Sequence, residues 1–348
     1  MIKIGKHEIG LQTAPFVIAE MSGNHNQSLE RALEIVDKAA DAGADAIKLQ
    51  TYTADTMTIE VQKKDFIIDD EGSLWKGHSL YDLYEEAHTP WEWHEAIFER
   101  CKKRGIEGFS SPFDESAVDF LDKLGVPAFK IASFENTDVK LLRKVASKKK
   151  PVIVSTGMAT LSELDEMVRE LRTAGCHEII LLKCTSTYPA SPVNSNLATI
   201  PHLRSLFDLE VGLSDHTLGI GVSIGSVVLG ATVIERHFTL DRKEGGVDSA
   251  FSLEPAEMKS LVEESHRAWR ALGKIHYGPV AEEKSSMRFR RSLYVVRDIK
   301  AGERLTTENL RAIRPGYGLP VKYFDTLIGK QVTREVTRGT PASWDLIK

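Results

Sequence analysis

The chain of 348 residues has only three cysteines, Cys101, Cys176 and Cys184. They show no CxxC spacing, which excludes a disulfide framework and a thiolate zinc site. A basic surplus is also missing: 45 Lys and Arg against 50 Asp and Glu leave a net charge of -5. That balance argues against a general nucleic-acid or membrane-surface binder. The most apolar run, residues 220–234, is broken by Ser223, Gly225, Ser226, Gly230 and Thr232. It falls short of the ~20 apolar residues of a membrane span. Residues 1–6 hold no apolar stretch suited to a leader, so the expected compartment is the reducing cytoplasm. No GxGxxG follows the first strand-like run, and there is no low-complexity tract. What remains is a chain long enough to bury a sizeable core unaided.

Short β-type runs alternate with longer helical patterns through the first four-fifths of the sequence. Strands are expected over residues 16–20, 46–50, 107–110, 128–131, 152–155, 179–183, 210–213 and 232–237. Helical periodicity marks residues 29–42, with Leu33, Val36 and Ala40 on one face, then 91–103, 116–124, 138–147, 161–174 and 255–272. Gly43, Gly105, Gly125, Gly175 and Gly273 follow these helices as stop signals. Eight strand-then-helix units predict an α/β fold of the (β/α)8 barrel type, with a doubly wound open sheet as the alternative. A long insertion, residues 51–89, interrupts the rhythm and carries Trp75, His78, Tyr81 and Tyr84. After Gly273 the alternation stops. The expected division is a barrel over residues 1–280, a polar linker over 281–290 and a small, mostly β domain over 291–348.

In a barrel the chemistry gathers at the C-terminal ends of the strands. Those ends supply Glu20, Lys48, Gln50, Ser111, Lys130, Ser133, Ser155, Thr156, Lys183, Ser186, Ser214, Asp215, His216, Glu235 and His237. Apolar strands that finish in charge are costly unless the charges are used. Lys48 and Gln50 share one face of their strand, as do Glu235 and His237 of theirs. His216 and His237 end neighbouring strands, where two imidazoles can converge on one divalent ion with positions left for water and substrate. Lys48 and Lys130, with the hydroxyls of Ser111, Ser133, Ser155, Ser186 and Ser214, suit a small phosphorylated acid. Residues 91–94, Trp-Glu-Trp-His, read as core packing at a helix start. Arg288, Arg290 and Arg291 read as a linker contact or an anion clamp.

Residues 16–25, 46–51, 129–133, 154–158, 183–189, 212–217 and 234–238 resemble the sialic acid synthase family of phosphoenolpyruvate-dependent nonulosonate synthases. Residues 298–303 and 314–316 resemble that family's antifreeze-like (SAF, β-clip) domain. Within the family, residues 80–84, 89–94 and 134–135 are similar to the pseudaminate-forming branch, and Ser186 stands where neuraminate-forming members tend to carry Asn. The resemblance implies condensation of phosphoenolpyruvate with an open-chain acetamido sugar in a domain-swapped homodimer. It implies that Lys48, Ser111, Lys130, Ser133, Ser155, Ser186 and Ser214 hold phosphoenolpyruvate. His216 and His237 would bind Mn2+, or else Mg2+ or Co2+, and Glu20 would handle protons. Gln50, Tyr188 and Asp248 would contact the sugar, with Phe289 and Arg314 added from the second subunit's cap. Three alternatives stay open: the same chemistry on N-acetylmannosamine or a legionaminate precursor, a Schiff-base aldolase using Lys130 or Lys183, and a C-terminal ice- or carbohydrate-binding module beside an inactive barrel.

Overall fold

Eight runs of β-branched and small apolar residues, each followed by an amphipathic helix, close on themselves in the computed structural model, which describes residues 2–348. A hairpin comes first: β1 (Ile2–Ile4) pairs antiparallel with β2 (His7–Ile9) around Gly5, whose φ of +55° suits a residue without Cβ. Ile4 and Ile9 are buried there, and Lys6 is tied to Glu107 and Gly105 at the start of a barrel strand. The hairpin therefore plugs the end of the barrel away from the strand C-termini.

The barrel strands are β3 (Phe16–Glu20), β4 (Ala46–Thr51), β5 (Glu107–Pro112), β6 (Phe129–Ile131), β7 (Val152–Ser155), β8 (Ile179–Cys184), β9 (Glu210–Ser214) and β10 (Val233–His237). All pair in parallel, and β10 returns to β3 to close the ring. The outer layer is α1 (Leu29–Asp41), α4 (His94–Arg104), α5 (Glu115–Lys123), α6 (Val139–Ala146), α7 (Leu161–Thr173), α8 (Thr199–Phe207), α9 (Gly221–Val228) and α10 (Pro255–Leu272), after α2 (Ala54–Met57) and α3 (Leu80–Ala87) of the insertion. Caps hold several starts. Ser28 Oγ accepts from Arg31 N at 3.2 Å before α1, and Thr160 and Glu163 form a reciprocal capping box on α7.

The strand expectations hold to within one residue at each end except on β5, which runs two residues further, and one helix expectation is corrected. Helix α1 buries Ala32, Ile35, Val36 and Ala39, whereas Leu33 and Ala40 are half-buried at the edge of that face. The inward stripe at i, i+3, i+4 and i+7 runs through Ala32, Ile35, Val36 and Ala39, one position before the Leu33 and Ala40 expected to carry it. The apolar run 220–234 contains a helix, α9, made of Gly, Ser and Val. Its glycines and serines lower intrinsic helicity, and packing against α10 and the barrel supplies what propensity does not.

A second compact unit starts at Lys274. Residues Ala281–Phe289, expected as linker, form 3-10 turns in which Glu283 accepts from the Val280 N–H. Polar composition hid this local structure, and the division falls at Gly273, whose positive φ ends α10. Within the unit, β11 (Ser292–Val295) pairs antiparallel with β12 (Leu310–Ile313), and isolated bridges tie further segments together. Its own core is formed by Leu293, Val295, Ile299, Leu310 and Val336, with the short helix α11 (Phe324–Leu327) burying Leu327. Among the described residues no helix is long and apolar enough to cross a membrane.

Candidate active site

Parallel register sets the geometry of the barrel mouth. His237 pairs with Glu20 across β10 and β3, Glu20 with Lys48 across β3 and β4, and Gln50 with Ser111 across β4 and β5. Glu235 pairs with Ser214 across β10 and β9. Because side chains alternate, these residues project into the barrel, while Arg236 between two of them projects into the helical layer.

The interior is a chain of buried charge. Lys48 Nζ lies 2.6 Å from Glu20 Oε2 and 4.0 Å from Glu235 Oε2, and Lys130 Nζ lies 3.6 Å from Glu235 Oε1. Lys48 donates to Ser111 Oγ at 3.3 Å, Lys130 to Ser155 Oγ at 2.7 Å, and Ser214 to Glu235 Oε1 at 2.9 Å. Gln50 Nε2 donates to both Glu20 Oε1 and Ser22 Oγ at 3.0 Å. Burial pushes the Glu20 carboxyl up to about 7 against the attraction of Lys48. Burial also works against the Lys48 ammonium, but Glu20 and Glu235 outweigh it and hold its pKa up. Lys130 is lowered, with burial the larger effect and Glu235 opposing it. Burial opposes the Glu235 carboxylate as well, yet the two lysines keep its pKa low.

Ser133 and Ser186 converge around Gly157. The Gly157 N–H donates to Ser133 Oγ at 3.2 Å, and a Cβ at this position would overlap Ser186 Oγ and stand 2.6 Å from Ser133 Oγ. With the two hydroxyls where they stand, the backbone between them has room for glycine and not for a Cβ. His216 and His237 face each other with ring centroids 5.3 Å apart, and Tyr188 stacks obliquely on His216 at 4.4 Å. Asp248 receives the Ser22 hydroxyl and lies 3.7 Å from His237 Nδ1. Burial raises the Asp248 carboxyl above its usual range.

Glu20, Lys48, Gln50, Ser111, Lys130, Ser133, Ser155, Ser186, Tyr188, Ser214, His216, Glu235, His237 and Asp248 therefore gather at the barrel mouth. Phe289 and Arg314 belong to the second unit, where Phe289 is half exposed. Two strand-end residues are corrected. Asp215 is not part of this chemistry: its Oδ2 takes the Arg236 guanidinium at 2.6 Å and the Ser223 hydroxyl at 2.5 Å, a buried clamp between β10 and α9. Lys183 is spent on Cys184 O at 2.8 Å and Thr185 Oγ1 at 3.2 Å. Residues 91–94 pack as expected, Trp91 stacking on Phe120 at 4.7 Å with His94 fully buried. The sequence places Glu235 on the same strand face as His237, and the fold adds its pairing with Lys48, Lys130 and Ser214. Ser22 has no signal of its own in the sequence and is found only through its bonds to Gln50 and Asp248.

Among the described residues, no three His, Cys, Asp or Glu side chains gather closely enough to enclose a metal ion. An open two-imidazole site is still chemically suited to one. His216 Nδ1–H donates to Thr185 O at 3.0 Å, leaving Nε2 as a lone pair, and His237 Nδ1 is buried without a hydrogen-bond partner.

A closed parallel barrel with two buried lysines, a ring of hydroxyls and two facing imidazoles at its C-terminal mouth is built as an enzyme acting on an anionic substrate. Comparison with known proteins narrows this. The NeuB family model matches residues 35–277, and a SAF domain model matches residues 290–348. The chain belongs to the NeuB family. It is 45% identical to the pseudaminic acid synthase of Campylobacter jejuni over 93% of this chain and 94% of that one. It is 37% identical to the N,N'-diacetyllegionaminic acid synthase of Legionella pneumophila over 96% and 94%. Among solved structures, the N-acetylneuraminic acid synthetase of Leptospira borgpetersenii, in complex with citrate, superposes with a TM-score of 0.73 at 34% identity, covering 83% of this chain and 95% of that one.

Proposed function

We propose that this chain condenses phosphoenolpyruvate with 2,4-diacetamido-2,4,6-trideoxy-β-L-altrose and water to give pseudaminic acid and phosphate. The higher identity to pseudaminic than to legionaminic acid synthases supports this sugar. The observation that carries the reading is the pair of ammonium groups, Lys48 and Lys130, 3% and 2% exposed, set among serine hydroxyls beside two imidazoles. Buried cations of this kind suit a ligand with both phosphate and carboxylate.

In the reaction, C3 of phosphoenolpyruvate forms a bond to the aldehyde carbon, water adds at C2, and the C2–O bond to phosphate breaks. Lys48, Lys130 and the hydroxyls of Ser111, Ser133, Ser155, Ser186 and Ser214 bind the phosphoenolpyruvate. Gln50, Tyr188 and Asp248 orient the sugar. Glu20, with a carboxyl near neutrality, gives and takes protons at the aldehyde oxygen and the adding water. A divalent ion, Mn2+ or else Mg2+ or Co2+, held by His216 and His237 supplies Lewis-acid polarisation when bound. The protein acts in the cytoplasm as a two-fold dimer, each second unit presenting Phe289 and Arg314 to the other subunit's barrel. Exposed Ile275, Tyr277 and Phe289 at the start of that unit support a partner surface.

The test offers purified protein phosphoenolpyruvate with a panel of acetamido sugars and follows phosphate release. Release is expected only with an aldose present, and fastest with the diacetamido altrose sugar. Equal or faster turnover of N-acetylmannosamine or the legionaminate precursor overturns the sugar assignment. Trapping by borohydride overturns the mechanism, since the condensation forms no imine.

A further inference from the structure

The insertion over residues 51–89 does more than close one side of the mouth. A cavity of about 580 Å3 opens from the reacting end, where Ser22, Gln50, His237 and Asp248 line it, and continues under the insertion. There the wall is Met57, Ile68, Trp75, Leu80, Leu83 and Tyr84. Asp70 is the one charged side chain that the described insertion residues add to this wall. The cavity is thus polar at the reacting end and mostly apolar under the insertion, with Asp70 and Ser73 as the insertion's polar exceptions and Glu135 on the facing loop.

The insertion is also firmly held, as a recognition surface must be. Trp75 Nε1 donates to Val247 O at 3.0 Å, beside Asp248. Gln27 Nε2 donates to Glu86 O at 2.9 Å and to His88 O at 2.7 Å, and His25 bonds Thr89 at 3.2 Å. Tyr52 packs edge-on against Tyr84 and Phe113, at 5.7 and 5.2 Å, fixing the base of the wall.

From this arrangement we infer that the apolar wall of the insertion, with Met57 and Leu83 as its specificity-determining residues, selects a sugar whose far end is a 6-deoxy methyl carrying an acetamido neighbour at C4. The inference rests on the condensation proposed above and adds what reads the sugar's distal half. A hexosamine with hydroxyls at C4 and C6 gives up water against Met57, Ile68, Leu80 and Leu83, which offer those hydroxyls no hydrogen bond, and that costs it binding in the transition state. Apolar pockets reject an added hydroxyl only moderately, on the order of 100-fold, so the preference has a ceiling.

The experiment measures kcat/KM for the diacetamido trideoxy sugar, for N-acetylmannosamine and for 6-deoxy-N-acetylmannosamine, together with the KM for phosphoenolpyruvate. It compares wild type with Met57→Gln and Leu83→Asn. Wild type is expected to favour the diacetamido sugar by on the order of 100-fold and to prefer the 6-deoxy over the parent N-acetylmannosamine. Each variant should narrow both ratios by roughly 10-fold or more, with the KM for phosphoenolpyruvate unchanged. Unaltered ratios in variants that still bind phosphoenolpyruvate normally overturn the inference and leave the proposed reaction standing. A wild type that prefers N-acetylmannosamine overturns the proposed sugar and this inference with it. Leu83 is buried, so if Leu83→Asn does not fold, the half-buried Met57 carries the test.

Discussion

Glu20 and Lys48 stand side by side on neighbouring strands, carboxylate to ammonium at 2.6 Å, with 1% and 4% of their side chains exposed. Neither charge has water to fall back on. Removing one partner leaves the other buried and uncompensated, at a cost of about 3–5 kcal/mol. Lys48→Met should therefore lower stability by that order in chemical denaturation and abolish phosphoenolpyruvate binding by calorimetry. Glu20→Gln keeps the shape and the Gln50 contact, so it should fold and bind phosphoenolpyruvate while kcat falls on the order of 100-fold or more. Normal kcat in Glu20→Gln removes it from proton handling.

Gly157 offers a test that leaves every charge in place. Gly157→Ala puts a methyl where Ser133 and Ser186 hydroxyls now meet. The two hydroxyls must turn away or the backbone must shift, and on the order of 10-fold or greater loss in phosphoenolpyruvate affinity is expected from a displaced hydroxyl pair. Unchanged affinity shows that these two serines do not contact the anion.

Metal dependence follows from the facing imidazoles. Exhaustive chelation should abolish turnover, and Mn2+, Co2+ or Mg2+ should restore it. His216→Ala and His237→Ala should each lose activity and bound metal by elemental analysis, with thermal unfolding near wild type, because both rings lie at strand ends. Full activity in a metal-verified apo sample rules out the metal's role.

Acid should weaken the barrel through two histidines away from the chemistry. His25 and His94 are fully buried, and burial is the main cause that holds each pKa at about 4 against an ordinary 6.5. In the unfolded chain both protonate near 6.5, so between pH 6.5 and 4 the unfolded state binds more protons than the folded one. Stability is then lost as pH falls through that window, by roughly 3 kcal/mol per histidine. Urea unfolding at pH 7 and pH 4.5 measures it by difference between proteins, because the raised Glu20 and Glu135 carboxyls work in the opposite direction in both. His94→Gln should lose roughly 3 kcal/mol less than wild type between the two pH values. An equal acid loss in the variant refutes this account.

Arg314 tests the swapped dimer. His237→Ala, inactive in the barrel, and Arg314→Ala, inactive in the cap, are unfolded and refolded together. Symmetric exchange makes about half the dimers mixed, each with one intact site, so activity should recover to about a quarter of wild type. No recovery, with exchange confirmed by mass, shows that Arg314 acts within its own chain.

Sequence alone determined the barrel and most of the mouth, because both are written in local rules. Strand and helix runs carry their periods and glycine stops, and a strand such as 233–237 that ends in Glu235, Arg236 and His237 announces that its charges are used. What the sequence could not decide is which of those charges meet. Asp215 and His216 are neighbours in the chain, yet Asp215 turns outward to Arg236 while His216 turns inward to His237. The alternation of β9 runs on past its last paired residue, Ser214 and His216 facing in and Asp215 out, and only the folded backbone shows that it does. The role of the 51–89 insertion was equally hidden. Its Trp75 is anchored on Val247, 172 positions away, and its apolar residues form a wall only because the barrel closes beneath them. The 281–289 segment reads as polar linker because its 3-10 turns bury no side chain, and burial is the signal that composition can see.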